Sequence, residues 1–336
     1  MAISTIGDLA KGFALRQQSN VLKQQMMRLT TELASGTTSD VTRHLAGDFT
    51  SLADIKHRLA VLGSHASAAT QGRIDSGAMQ TTLSRFQERA QSVGDIALAF
   101  AMSPGAELKT TVAAEARKAL GDMLSALNVS IAGRSLFAGD ALNEAAVARP
   151  QDVMAAIRSA AAGAADAATL ATVMDDFFYS PGGGFDTAVY LGSGAPRAAY
   201  PLGEGESVIL DLRANDPVFR STLKQVAIAA LLDDPAIALS GSDQVSLARQ
   251  TGEALFASQD RITAIRADLG FAESRIDRAA SRISAETAGL NMLQSDLLGI
   301  DPFEAASELD AVQTRLEALY TLTARMSRLN LVNFLS

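Results

Sequence analysis

Residues 262–297 read ITAIRADLGFAESRIDRAASRISAETAGLNMLQSDL, and this stretch decides the fold class. Its apolar positions alternate steps of three and four residues over about five heptads, and Glu286 is the one non-apolar member. The positions are Ile262, Ile265, Leu269, Ala272, Ile276, Ala279, Ile283, Glu286, Leu290, Leu293 and Leu297. Such a run predicts a long helix that packs in the manner of a coiled coil.

A second zone of helical spacing runs through residues 52–62 and, after a small polar stretch, resumes over residues 79–100. Ser103-Pro104-Gly105 is expected to end it, and a further helix is predicted over roughly 107–131. The chain must return to its start after the middle region. We therefore expect residues 79–100 to lie antiparallel to residues 262–297.

Both ends of the chain carry apolar residues at helical spacing. These are Leu15, Leu22, Met26, Leu29 and Leu33 near the N-terminus, and Leu316, Leu319, Leu322, Met326 and Leu329 near the C-terminus. The loops 34–40 and 299–302 separate these segments from the rest, with Asp301 as an N-cap and Pro302 at the first helical position. Isolated helix pairs bury little surface, so the ten residues are predicted to contact neighbouring subunits or partners.

The middle of the chain has a different pattern, rich in Gly and Pro. It predicts a helix over 151–178, short strands over 187–191, 197–202 and 207–213, and another helix over 217–232. The fold class is therefore mainly α: a long, coiled-coil-like antiparallel helical rod built from both termini, with a small α+β insertion domain. The expected division is terminal helices 1–35 and 300–336, rod 36–139 and 255–299, and insertion 140–254.

Composition excludes several classes of protein. Hydrophobic residues make up 48% of the 336 residues, so a sizeable core is expected. Cysteine is absent, which removes disulfides, thiolate nucleophiles and iron–sulfur clusters. The net charge of −8 and the lack of a basic stripe argue against a nucleic-acid partner. No apolar stretch is long enough for membrane insertion, and residues 1–10 do not resemble a cleaved Sec signal peptide.

Residues with catalytic or ligand-binding chemistry form no recognisable site. The histidines His44, His57 and His65 have no partner at metal-ligand spacing. The Gly-rich segments 182–184 and 192–194 complete neither a phosphate loop nor a dinucleotide motif. We therefore predict no catalytic residue, no metal and no cofactor, and a protein that is not an enzyme.

Five segments together resemble the bacterial flagellin family, which includes the hook–filament junction proteins. Near the C-terminus they are DPFEAASEL (301–309), LEALY (316–320) and RLNLVNFL (328–335). Further towards the N-terminus, LASG (33–36) resembles the end of the first flagellin helix, and GRSLFAG (133–139) resembles the end of the N-terminal rod of junction proteins. Residues 37–44, TTSDVTRH, depart from the family pattern, which has an Arg and an Asn-containing run there.

The resemblance implies a structural component of the bacterial flagellum: a hook-associated protein that joins the hook to the flagellin filament by self-assembly into a ring or helical junction. Its implied partners are flagellin, the hook-side junction protein and a cytoplasmic export chaperone. The implied location is extracellular, reached through the flagellar type III apparatus without a cleaved signal. Flagellin itself is the alternative. A helical scaffold or signalling coiled coil, and an enzyme built on the middle region, are more remote ones.

Overall fold

The computed structural model describes the backbone of residues 6–335 and the side chains of residue 10 and residues 12–326. The long helices in this part of the chain are α1 (Ile6–Ser35), α3 (Thr50–Met102), α4 (Ala106–Leu127), α8 (Gly241–Leu298) and α9 (Pro302–Leu335). The shorter helices are α2 (Val41–His44), α5 (Pro150–Ala161), α6 (Ala167–Tyr179) and α7 (Pro217–Ala230). The strands are β1 (Ser130–Ile131), β2 (Arg134–Ser135), β3 (Tyr200–Gly203) and β4 (Glu206–Val208). The predicted fold class, mainly α with a small α+β part, is confirmed.

The described residues divide into two compact units. Unit 1 contains the residues up to Leu62 and those from Ala285 onward, and unit 2 is Gly63–Ser284. Helices α3 and α8 each contribute residues to both units. The finer division into terminal helices, rod and insertion stays a prediction.

In unit 2, α3 and α8 run antiparallel, as the sequence predicts. Residues 80–98 of α3, however, lie beside residues 252–266 of α8, so the predicted pairing of 79–100 with 262–297 is correct in direction and shifted in position. Gln80 donates to the carbonyl of Arg266 (3.0 Å), and Gln87 donates to the hydroxyl of Thr263 (3.0 Å). The Arg266 guanidinium donates to the side-chain oxygens of both glutamines, at 3.1 and 2.6 Å. As the residue number rises along α3, that of its partner on α8 falls.

Glycine allows the closest approach of these two helices. A Cβ atom on Gly252 of α8 would lie 2.6 Å from Leu98 Cγ and 3.2 Å from the carbonyl oxygen of Gly94, both on α3. Distances below 3 Å are not tolerated between packed carbon atoms, so a larger residue at position 252 would displace the side chain of Leu98.

The core of unit 2 is continuous from the long helices into the middle region. The ring of Phe219 on α7 packs edge-on against Phe86 of α3, with centroids 4.9 Å apart, and against Phe137, at 5.8 Å. All three residues are fully buried. The predicted insertion therefore has no separate core in this part of the chain, because its helix α7 shares the aromatic cluster with α3.

The GRSLFAG segment forms a tight hairpin followed by buried chain. Strands β1 and β2 pair antiparallel around Ala132 and Gly133, which both have positive φ (51° and 76°), as a two-residue hairpin turn requires. Residues 136–138 are then completely buried. Gly139, with φ of 64°, is enclosed by backbone carbonyls: a Cβ there would lie 2.5 Å from the oxygens of Ser193 and Ala195.

Two expectations for local structure were wrong. Residues 187–191 do not form a strand, because Phe185–Val189 is a π-helical turn and only Tyr190 bridges to Val147. The helix expected over 151–178 is two helices, α5 and α6, interrupted near Gly163, whose φ is 85°. The small polar stretch between residues 62 and 79 lies within α3, and Ala69, Asp75 and Ser76 are buried there.

The aromatic cluster gives a stability prediction. We expect Phe86→Ala to lower the free energy of unfolding by about 3–5 kcal/mol, because it leaves a cavity against Phe219. The matched control is Phe271→Ala on α8, whose side chain is 71% exposed and whose loss should cost within about 0.5 kcal/mol. Urea denaturation followed by circular dichroism measures both. Equal effects would contradict the assignment of Phe86 to the core.

Candidate assembly surface of the terminal helices

Helices α1 and α9, from opposite ends of the chain, pack as an antiparallel pair in unit 1. Leu22 and Leu29 of α1 and Val312, Leu316 and Leu319 of α9 are buried together in a narrow seam. The partly buried residues Leu15, Met26 and Leu309 border it. We call these eight residues the leucine seam. Their spacing is that of the apolar stripe of a two-helix coiled coil.

Local sequence explains why α1 ends at Ser35 and why α9 begins at Pro302. Gly36 follows α1 with φ of 70°, and its N–H donates to the carbonyl of Glu32 at 2.8 Å. This is a left-handed C-cap, which glycine adopts without steric cost. The side chain of Asp301 accepts from the N–H groups of Phe303 (2.8 Å) and Glu304 (3.2 Å) at the start of α9. The predicted N-cap is confirmed.

The loop after α1 contacts the turn between α8 and α9. Ile300 N–H donates to the carbonyl of Gly36 (3.1 Å), and Thr38 N–H donates to the carbonyl of Leu298 (2.8 Å). Thr37 and Gly299 form an antiparallel bridge between these two bonds. His44 Nε2 lies 3.1 Å from the carbonyl oxygen of Leu297. The end of α1 and the start of α9 are therefore joined by directional hydrogen bonds.

A charged side chain holds this loop against α1. The carboxylate of Glu32 accepts from both the N–H (2.9 Å) and the hydroxyl (2.7 Å) of Ser39. Burial raises the pKa of Glu32, but the two Ser39 hydrogen bonds, with the nearby charges of Arg28 and Arg43, bring its pKa below the usual value. Glu32 is thus an anion held by donors from its own loop.

The structure places nine of the ten predicted interface residues, and they lie in three environments. Leu15, Leu22, Met26, Leu29, Leu316 and Leu319 lie in the leucine seam, within one chain. Leu33 and Leu322 are exposed, at 38% and 54%, and Met326 is partly buried. Leu329 lies outside the described side chains. A role of these residues in contacts between subunits stays a prediction.

Other apolar side chains of the pair are more exposed than the predicted ones. Phe13 and Met27 on α1 are 67% and 60% exposed, and Phe303 at the start of α9 is 82% exposed. Helical periodicity places Phe13 and Met27, fourteen residues apart, on the face of α1 opposite Leu22. We call them the outer stripe. The fourteen-residue interval is two heptads, a signal that sequence reasoning could have used.

One polar contact lies beside the seam. The ammonium of Lys23 on α1 lies 5.8 Å from the ring centroid of Tyr320 on α9. Hydrogen bonding to Lys23 lowers the pKa of the Tyr320 hydroxyl, and Ser19 contributes in the same direction. The contact pairs residue 23 with residue 320, which defines the register of the two helices.

Ionisable residues elsewhere serve structural roles. In unit 2, the buried carboxylate of Asp75 accepts from Arg197 (2.8 Å), from Gln71 (2.7 Å) and from the hydroxyl of Tyr200. Burial and this hydrogen bond raise the pKa of Tyr200. Within the described residues, no cluster of His, Asp and Glu could hold a metal ion. Nor does that part of the chain contain a helix with the length and apolarity needed to span a bilayer.

Comparisons with known proteins identify the type of fold. Residues 254–335 match the family described as the bacterial flagellin C-terminal helical region. In structure, the chain is similar to a Vibrio parahaemolyticus protein described as a flagellar hook-associated protein, at 15% identity and a TM-score of 0.51, over 73% of this chain and 95% of that one. It is similar to Bacillus cereus FlgL at 12% identity and a TM-score of 0.52, over 72% of this chain and 100% of that one. A sequence comparison with curated proteins gives no match.

The chain is therefore a mainly helical protein with the fold of flagellar hook-associated proteins. The resemblance to the flagellin family is confirmed over residues 254–335, which match the flagellin C-terminal helical region.

The narrow seam predicts low local stability of the terminal helices. In the free chain we expect amide hydrogens of residues 12–35 and 305–326 to exchange faster than those of residues 79–100 and 112–127, because the latter belong to the large core of unit 2. Hydrogen exchange with mass spectrometry measures this difference. Equal protection of all four segments would contradict it.

Proposed function

We propose that this protein is a hook-associated structural subunit that joins the flagellar hook to the flagellin filament through its terminal helices. The observation that carries the proposal is the pairing of α1 and α9: the two ends of the chain meet in a narrow seam, and Phe13, Met27 and Phe303 remain exposed. An isolated helix pair is marginal in water, so such a pair is stabilised when neighbouring subunits cover its outer faces.

The match to the flagellin C-terminal region and the fold shared with hook-associated proteins support this proposal. Self-assembly into a ring or a helical junction would place one terminal pair against the next. The partners in the proposal are flagellin on one side and the hook-side junction protein on the other. Export through the type III apparatus with a cytoplasmic chaperone, and an extracellular location, belong to the same proposal, as does a structural rather than enzymatic role.

Flagellin itself is the second candidate. The family match to the flagellin C-terminal region favours it, because the filament subunit carries that region. The two candidates differ in what their loss does to the flagellum. A junction protein is needed in small number at one place, whereas a filament subunit makes up the filament.

Deletion of the gene in its own host distinguishes the two candidates. Loss of a junction protein should leave intact hooks without filaments, with flagellin shed into the medium. Loss of the filament subunit should remove flagellin from cells and medium alike. Electron microscopy of the cells and immunoblotting of the medium provide the two measurements. A deletion strain with normal filaments would overturn both candidates.

The outer stripe gives a sharper test of the terminal helices. We expect Met27→Asp to prevent filament attachment while the protein is still exported, because burying an unpaired carboxylate costs several kcal/mol. The matched control is Met102→Asp at the end of α3, where the side chain is 87% exposed and lies outside the terminal pair. Each variant is expressed in the deletion strain, and filaments are counted by electron microscopy. Normal filaments with Met27→Asp would refute the role of the outer stripe.

A further inference from the structure

The leucine seam alone does not specify the register of α1 against α9. Leu15, Leu22 and Leu29 repeat every seven residues. On α9, Leu309 and Leu316 are also seven residues apart, as are Val312 and Leu319. A slip of seven residues would therefore place apolar side chains opposite apolar side chains again. Uniform heptads are known to leave register open unless a polar feature fixes it.

The polar contacts between the end of α1 and the start of α9, unlike the leucine seam, distinguish one register from another. The hydrogen bond from Ile300 N–H to the Gly36 carbonyl joins the residue after α1 to a residue just before α9. A seven-residue slip moves a helix about 10 Å along its axis, and no hydrogen bond survives that displacement. This contact and that of Thr38 with Leu298 are compatible with one register only.

The loop can make these bonds because it is folded back onto α1. Ser39 donates its N–H and its hydroxyl to the carboxylate of Glu32, one turn before the end of α1. Glu32 is 6% exposed, so its charge depends on these donors for solvation. The two Ser39 bonds hold residues 37 and 38 where they face the turn between α8 and α9.

We propose that Glu32 and Ser39, with the backbone of residues 36–38 and 298–300, form a clasp that sets the register of the terminal helix pair. Ser39 lies in the segment 37–44, where this sequence departs from the flagellin pattern. The clasp is thus a device of this chain's own loop. It positions the pair and does not itself contact a partner. It is independent of whether the protein is a junction protein or a filament subunit.

Engineered disulfides can measure the register, because the chain has no cysteine. In one parent variant, Lys23→Cys is combined with Tyr320→Cys, which reports the observed register. In the other, Lys23→Cys is combined with Gln313→Cys, seven residues away on the same side of α9, which reports the slipped register. The purified full-length chain is oxidised under mild conditions, and the yields of the two cross-links are compared.

We expect Glu32→Ala to raise the ratio of slipped to observed cross-link by about ten-fold, because a charged hydrogen-bonded pair is removed. Ser39→Ala should act in the same direction, and Ser39→Thr, which keeps the hydroxyl, should leave the ratio near the parent value. The matched control is Thr31→Ala, which removes a hydroxyl that donates to the carbonyl of Met27 in its own helix.

Three outcomes would overturn the clasp. One is an unchanged ratio in Glu32→Ala. Another is a proportional loss of both cross-links, which would mean that Glu32 stabilises the helices without fixing their register. The third is a parent chain that does not favour the 23–320 pair. The measurement needs no assembly, so a failure of the proposed junction role in cells would leave its result unaffected.

Discussion

The antiparallel contact between the two ends of the chain is the constraint on which unit 1 depends. Leu22 and Leu29 are buried only because α9 returns beside α1 after almost the whole sequence has been traversed. Bringing such distant segments together costs loop-closure entropy, and few apolar contacts offset it. The hydrogen bonds of Gly36 with Ile300 and of Thr38 with Leu298 add directional contacts where α1 ends and α9 begins.

In unit 2, the pairing of distant helices is stabilised by a much larger buried core. The α3–α8 pair is supported by α4 and α7, and Phe219 connects the aromatic side chains of several segments. The GRSLFAG segment belongs to this core: its apolar residues are fully buried, and Gly139 fits between carbonyls that leave no space for a side chain. The resemblance of this segment to flagellin-family sequences therefore has a packing reason.

Periodicity predicted the long helices well because their apolar stripes face a partner along most of their length. The positions Ile262, Leu269 and Ile276 are buried as expected, whereas Leu293 further along the same stripe is 55% exposed. Spacing shows which residues share a face but not how far the partner extends. The π-helical turn at 185–189 was missed for a related reason: Val189 is buried there by tertiary packing, which β propensity does not report.

At the candidate assembly surface, too, spacing shows which residues share a face but not what covers them. Leucines at heptad spacing mark one apolar face of α1, and α9 of the same chain covers that face. A sequence alone cannot state whether the partner of a stripe is another chain or a distant part of the same one. With the seam covered by α9, the most exposed apolar side chains of α1 are Phe13 and Met27, on the opposite face. In the proposed assembly, α1 pairs with α9 through the leucine seam and meets neighbouring subunits through Phe13 and Met27, which requires apolar residues on two faces of the helix.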